Sequence, residues 1–294
     1  MDDETREEIE YDSEMDAMYD AMYDAMYDIW NDIYEDVDAI LRKYNEDCHD
    51  KYDYLYHFTT GEGLLKIITG QSLLLSEREY MNDIFEVDYT NNLIKSVMGN
   101  SSVSKDRFEY IFSTSTQQDS IHMWSYYSKD DAYCLKLNRE ELKEQFFNEG
   151  DILNYPAFYG KVIYDEKTQL AILTEVKKLI DSRGYDQNDR IWIQDMLISY
   201  FRSFYKQPGH SCEMEYRFVI PEQPNKCSNF INRRNLFVPT RIVKFEKLPS
   251  EEIMLGPNCK EPELAKRSLL LFMKKKGYKD WTENNITVSR MKIR

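Results

Sequence analysis

Tyr54-Leu55-Tyr56-His57-Phe58-Thr59-Thr60 runs directly into Gly61-Glu62-Gly63-Leu64-Leu65-Lys66-Ile67-Ile68-Thr69-Gly70 and then into Ser72-Leu73-Leu74-Leu75-Ser76. The first run alternates in the manner of a strand. Thr60 or Gly61 caps a short helix whose Leu64, Leu65, Ile67 and Ile68 fall at helical spacing, and Gly70 stops it. The third run reads as a second strand. This unit places His57 in mid-strand, beside a turn rich in hydroxyls and glycine.

Working outward, Tyr80–Glu86 suits a turn that leads into a helix over 86–98, and residues 99–104 form a polar break. Strands are expected at 108–115 and 132–137, flanking the aromatic run Met123-Trp124-Ser125-Tyr126-Tyr127. A helix at 139–148, a strand at 159–164 and helices at 167–182 and 189–205 come next. Strands at 215–220, 241–245 and 252–255, a helix at 262–276 and a strand at 286–293 complete the body. The order mixes strands and helices without βαβ regularity, so the expected class is α+β with a mixed sheet.

Upstream of this body the composition changes. Residues 1–53 hold 20 Asp/Glu and 4 Lys/Arg, whereas the other 241 residues carry 33 acids and 34 bases. The formal charge of −15 is therefore the property of one segment, and the low pI says nothing against a nucleic-acid partner for the body. Within the segment Asp16-Ala17-Met18-Tyr19 repeats at Asp20 and Asp24 and then degrades, while Asp holds every fourth position from Asp12 to Asp36. No Gly or Pro precedes Gly61, so a long acidic helix is expected. Like charges four apart oppose it by about 0.2–0.5 kcal/mol per pair. Residues 260–294, with ten Lys/Arg against four Asp/Glu, offer a compensating field. The division expected is an acidic repeat at 1–50 and a single α+β body at 51–294. Three readings of the repeat stay open: a helix packing on its own body, a helix pairing with a second copy or a protein partner through residues 12–40, and a nucleic-acid mimic that covers a basic active site.

No apolar run is long enough to span a membrane, and the acidic start is unlike a secretory signal. The five cysteines are scattered, without any Cys-x-x-Cys pair, and the four histidines show no metal spacing. A cytoplasmic location, reduced thiols and no metal site are expected.

Glu213-Met214-Glu215-Tyr216-Arg217 is the sharpest chemical signal. If it is a strand, Glu213, Glu215 and Arg217 share one face. Two carboxylates and an Arg leading into Phe218-Val219-Ile220 are costly unless paired with one another or used. His57 on its strand is equally compatible with a structural role, and Trp124, Tyr126 and Tyr127 with core packing. The aromatics also suit a platform for a flat ring.

Residues 54–294 resemble the bacterial domain-of-unknown-function family numbered 2971. The similarity rests on Leu55-Tyr56-His57-Phe58-Thr59-Thr60, Asn82-Asp83-Ile84-Phe85-Glu86, Phe112-Ser113 with Met123-Trp124-Ser125-Tyr126-Tyr127, Glu213-Met214-Glu215-Tyr216-Arg217, Leu255-Gly256-Pro257 and Ser289-Arg290-Met291-Lys292-Ile293-Arg294. Ile84 stands where that family usually has Pro, and Asp130-Asp131-Ala132 replaces its His-Lys-Gly. The opening is in turn similar to ADP-ribosyltransferases of the diphtheria-toxin and DNA-modifying toxin type. They read His, an aromatic and a late Glu in that order.

The resemblance implies a split sheet with flanking helices and an NAD-consuming effector of toxin or antiviral-defence type, with nucleic acid or protein as acceptor. It implies Glu215, Glu213 and His57 as catalytic residues, and His57, Thr59, Asn82, Trp124, Tyr126, Tyr127 and Arg217 as NAD-binding ones. Cleaving the nicotinamide–ribose bond builds positive charge on the sugar, which a carboxylate stabilises. Two other readings stay open. One is a nuclease effector, which lacks an Arg-x4–6-His pair or an Asp…Glu-x-Lys set here; the other is a non-catalytic ligand- or partner-binding module.

Overall fold

The computed structural model describes residues 28–29, 31–44, 51–81, 84–99, 108–127, 131–149, 157–222, 227, 229–233 and 235–292. Its elements begin with α1 (31–44), β1 (Tyr54–Thr60), α2 (Gly61–Gly70), β2 (Ser72–Glu77), α3 (Ile84–Met98) and β3 (Phe108–Ser115). They continue through α4 (Ile121–Tyr127), β4 (Ala132–Asn138), α5 (Arg139–Glu149), β5 (Phe158–Lys161), α6 (Glu166–Ser182) and α7 (Gln187–Phe204). The last are β6 (Glu215–Glu222), β7 (Asn229–Arg233), β8 (Leu236–Lys244), β9 (Ser250–Leu255), α8 (Pro262–Lys275) and β10 (Ile286–Val288). The class is α+β, as the mixed order of elements suggested.

The strands form one sheet in the order β10-β9-β4-β1-β3-β2-β8-β7, with β6 paired to β3 and β5 to β6. Only β9–β10 is parallel among these pairs. β3 is the branch point. It meets β2 at Glu77↔Tyr110, touches β1 at Tyr56↔Ser115, and pairs along its whole length with β6, from Phe108↔Glu222 to Ser115↔Glu215.

Period-2 alternation sorts side chains to the two faces of this sheet. One face carries Leu55, Leu75, Tyr110, Phe112, Leu135 and Phe218, covered by Leu64 and Ile68 of α2, Leu142 and Phe146 of α5, and Leu269 and Met273 of α8. On the other, Ile111, Phe158 and Val219 meet Met196 and Phe204 of α7, while Phe58, Cys134 and Met254 enclose Trp124 of α4. α2 starts where expected, with Thr60 Oγ1 accepting from Gly63 N–H at 3.2 Å. Its stop differs from the expected one. Gly70 is still helical, and Gln71 takes the left-handed conformation (φ 44°).

The boundary expected at residue 50 also moves. Ile33, Val37 and Leu41, spaced four apart, are at most 4% exposed. They join one apolar cluster with Ile172, Val176 and Ile180 of α6 and Ile193 and Leu197 of α7. At about 1.5–3 kcal/mol for each fully buried aliphatic side chain, α1 is part of the body. Arg183 binds Asp32 at 2.7 Å and also Asp36, and Glu175 takes Lys43 at 2.7 Å and the Tyr44 hydroxyl at 2.5 Å. Residues 12–27, which hold the regular repeat, lie outside the described residues. Among those described, Cys134, Cys212, Cys227 and Cys259 are free, and no helix is long and apolar enough to cross a membrane.

Candidate functional site

The site begins with a backbone irregularity. Pro208–Glu213 is a 3₁₀ turn, so Glu213 does not belong to the strand as its spacing suggested. Met214 follows in the left-handed region (φ 47°, ψ 47°), a conformation costing on the order of 1–3 kcal/mol for a residue with a Cβ. Its carbonyl is held by Thr116, which donates from N–H at 2.9 Å and from Oγ1 at 3.2 Å. The turn brings Glu213 and Glu215 to the wall of the same pocket despite their different elements.

That pocket has a volume of about 350 Å³. Tyr56 and Phe58 of β1, Ser113 of β3, Met123 and Tyr126 of α4, and Met81 form much of its wall. Glu86 of α3, Lys206, His210, Glu213 and Glu215 supply its charge. Beneath it lies a buried ion network. The Arg217 guanidinium, fully buried, donates to Glu215 Oε2 at 2.9 Å, Glu86 Oε1 at 2.6 Å and the Ser203 carbonyl at 2.7 Å. Lys206 Nζ lies 2.6 Å from Glu213 Oε2 and 3.5 Å from both Glu86 and Glu215. His210 Nδ1 faces the other Glu213 oxygen at 3.2 Å.

Desolvation alone would raise the Glu215 pKa, yet the charges of Arg217 and Lys206 outweigh it and hold the carboxyl well below the usual carboxylate range. Burial pulls the Lys206 pKa down, but Glu215, Glu86 and Glu213 together push it above its ordinary value. Both groups are therefore ionised at neutral pH. With His210 neutral, Glu86, Glu213 and Glu215 face Lys206 and Arg217, one negative charge in surplus; a protonated His210, 3.2 Å from Glu213, balances it.

The sequence-derived residues divide sharply. Glu215, Glu213 and Tyr126 line the pocket, and Arg217 braces it from behind. His57 does not. Tyr56 and Phe58, its neighbours on either side, face the pocket, so pleating turns His57 to the opposite face. There its ring packs on Phe112 at 4.7 Å, with Nδ1 3.1 Å from the Ser113 carbonyl. Burial lowers its pKa, and the contact with that carbonyl opposes the shift only in part. Thr59 shares His57's side of β1, with its hydroxyl beside Gly63. Trp124 is fully buried beneath the pocket, edge-on to Phe58 at 4.8 Å, and its indole N–H donates to Asp119 at 2.6 Å. Asn82 and the Tyr127 side chain lie outside the described residues.

Glu86, Lys206 and His210 were not expected at the site. The one available signal was charge on otherwise apolar helical stretches. Glu86 opens α3, and Lys206 follows the apolar end of α7. A second hollow of about 740 Å³ lies beside β9 and β10, between Gln118, Glu252, Lys266 and Arg290. It contains no aromatic residue and none of the sequence-derived ones.

Residues 123–218, from α4 into β6, match the model of a family described as a protein of unknown function (DUF2971). The match spans roughly a third of the chain and includes Met123, Tyr126, Lys206, His210, Glu213 and Glu215. No curated protein and no solved structure matches the chain significantly.

Proposed function

We propose that this chain is an ADP-ribosyltransferase-like effector, of toxin or defence type, that takes NAD into the pocket of Glu213 and Glu215. The observation that carries the reading is the convergence of these two carboxylates with Tyr56, Phe58 and Tyr126 on one cavity. The aromatics offer flat apolar surface to a nicotinamide or adenine ring. As the bond between nicotinamide nitrogen and ribose C1′ breaks, its electron pair leaves with nicotinamide and positive charge grows on the sugar. Glu215, already ionised and fixed by Arg217, needs no reorganisation to stabilise that charge. An acceptor group on nucleic acid or protein then bonds to C1′ and gives up its proton. In this version His57 has no contact with the reacting sugar.

The test is nicotinamide release from NAD by the full chain. Glu215→Gln is expected to cut it by about 10²–10³-fold, the scale of one lost transition-state contact. His57→Gln is expected to leave it largely intact. Unchanged release from a folded Glu215→Gln variant would remove the assignment.

A second reading has its own observation: each carboxylate of the pocket already meets a cation. A fixed ion network suits a non-catalytic receptor for a cationic or nucleotide ligand. NAD binding by calorimetry, without nicotinamide release, would favour it.

A further inference from the structure

The Asp register of the N-terminal segment has a described end, and that end shows what its acids do. Asp32 and Asp36 both bind Arg183 of the body, and the Tyr185 hydroxyl donates to Asp32 at 2.8 Å. Upstream the register continues as Asp16, Asp20 and Asp24, interleaved with Met18, Met22 and Met26 and with Tyr19, Tyr23 and Tyr27. Residues 12–27 contain five acids and no base. Ordering such a segment brings like charges together and requires cations from elsewhere.

The outer stripe of α8 has matching chemistry. Leu264 and Leu271, two helical turns apart, are 53% and 63% exposed. Exposed Arg267, Lys274 and Lys275 fall on the same side, and exposed Lys276 and Lys279 lie just beyond the helix. Leu269 and Met273, on the inner side, hold α8 to the core, so the outer stripe is not needed for packing. It offers apolar area for Met and Tyr and positive charge for Asp, in alternation along one helix.

We infer that the outer stripe of α8 is the docking surface for the acidic segment 12–27 of this chain. Sixteen residues span about 24 Å as a helix and up to about 55 Å extended, comparable with the width of a body of this size. Within one copy the segment would pass from the side of α6 and α7, where α1 packs, to the face of the sheet that α8 covers. The docking does not depend on the chemistry proposed for the pocket.

The experiment places a photo-cross-linking benzoylphenylalanine at position 271 of the full chain and maps the linked peptides by mass spectrometry. Because Leu271 is exposed, the fold is retained, and a thermal melt checks this. Cross-links to residues 12–27 are expected. Their yield should fall severalfold between about 0.01 and 0.15 M salt, where the Debye length shrinks from about 30 to 8 Å. A similar fall is expected in Lys274→Glu/Lys275→Glu. Absence of these links at low salt, or links only to other regions, overturns the docking. So does a wild-type chain that retains single- or double-stranded DNA when the charge-reversed variant does not, with no link to residues 12–27. That result would make the stripe a nucleic-acid contact.

Discussion

Two buried ion clusters hang on the same pair of strands, and they differ in one respect. In the first, Glu109 of β3 lies between Arg78 at 2.8 Å and Arg202 at 2.8 Å, with the Ser199 hydroxyl donating at 2.6 Å. All of these side chains are sealed from solvent, and cations outnumber the central carboxylate. In the second, Glu86, Glu213 and Glu215 surround Lys206 and Arg217, and the three carboxylates line a cavity. Similar groups at similar distances thus act as a structural clamp in one place and a candidate site in the other. Burial and hydrogen bonding do not separate them. Access to a cavity does.

The comparison breaks if the two carboxylates prove equivalent. Glu109→Ala leaves two guanidinium groups buried beside each other and is expected to cost about 3–5 kcal/mol in urea unfolding, as breaking a buried pair does. Glu215→Gln should cost less, because Arg217 keeps Glu86 and the Ser203 carbonyl. Equal losses would mean that both clusters are structural clamps.

A pH titration sharpens the first cluster. Glu77, next to Arg78, has its pKa pushed up to about 7, chiefly by burial, against the opposing hydrogen bond from the Glu79 N–H. Between the ordinary carboxyl value of 4.5 and about 7, the folded state holds a proton that the unfolded state has released. Stability should therefore fall as pH rises through this window, by on the order of 3 kcal/mol in all, and level off above it. Glu77→Gln should flatten that slope; an unchanged slope would assign it to other groups. The smallest effect is expected at the exposed clamp on α1. Arg183→Ala should cost about 0.2–1 kcal/mol, and less at high salt. A larger, salt-independent loss would make that clamp behave like the buried ones.

The sheet was largely legible from the sequence. Short β-rich runs bounded by turn residues located β1, β2, β3, β4, β6 and β9, and helical spacing located α5 to α8 within a few residues. What alternation does not reveal is which parity faces the site. Tyr56 and Phe58 took the pocket and His57 took the core, a choice made by the tertiary position of β1 next to β3 and β4. β7 was missed because Asn229–Arg233 is an exposed edge with polar residues on both faces. Glu213 and Glu215 were legible as a pair, but for a different reason from the one that joins them. The left-handed Met214 carries no sequence signal, since glycine is the usual marker of that conformation. Lys206 and Glu86 were hidden because their partners come from three separate elements.

The Arg217 guanidinium grips Glu86 across 131 residues of sequence, and β3 finds β6 only after more than ninety intervening residues have been made. Contacts between such distant segments close slowly, since loop entropy must be overcome before they contribute. A ribosome delivers β1 to β4 long before β6, so the growing chain holds the branch strand's short contacts with β1 and β2 but neither its full-length pairing with β6 nor the arginine grip. The pocket is thus a late product of biosynthesis. Until the segment around Glu215 emerges and zips onto β3, the nascent polypeptide lacks the carboxylate pair, and any activity that depends on it stays silent while the chain is still being made.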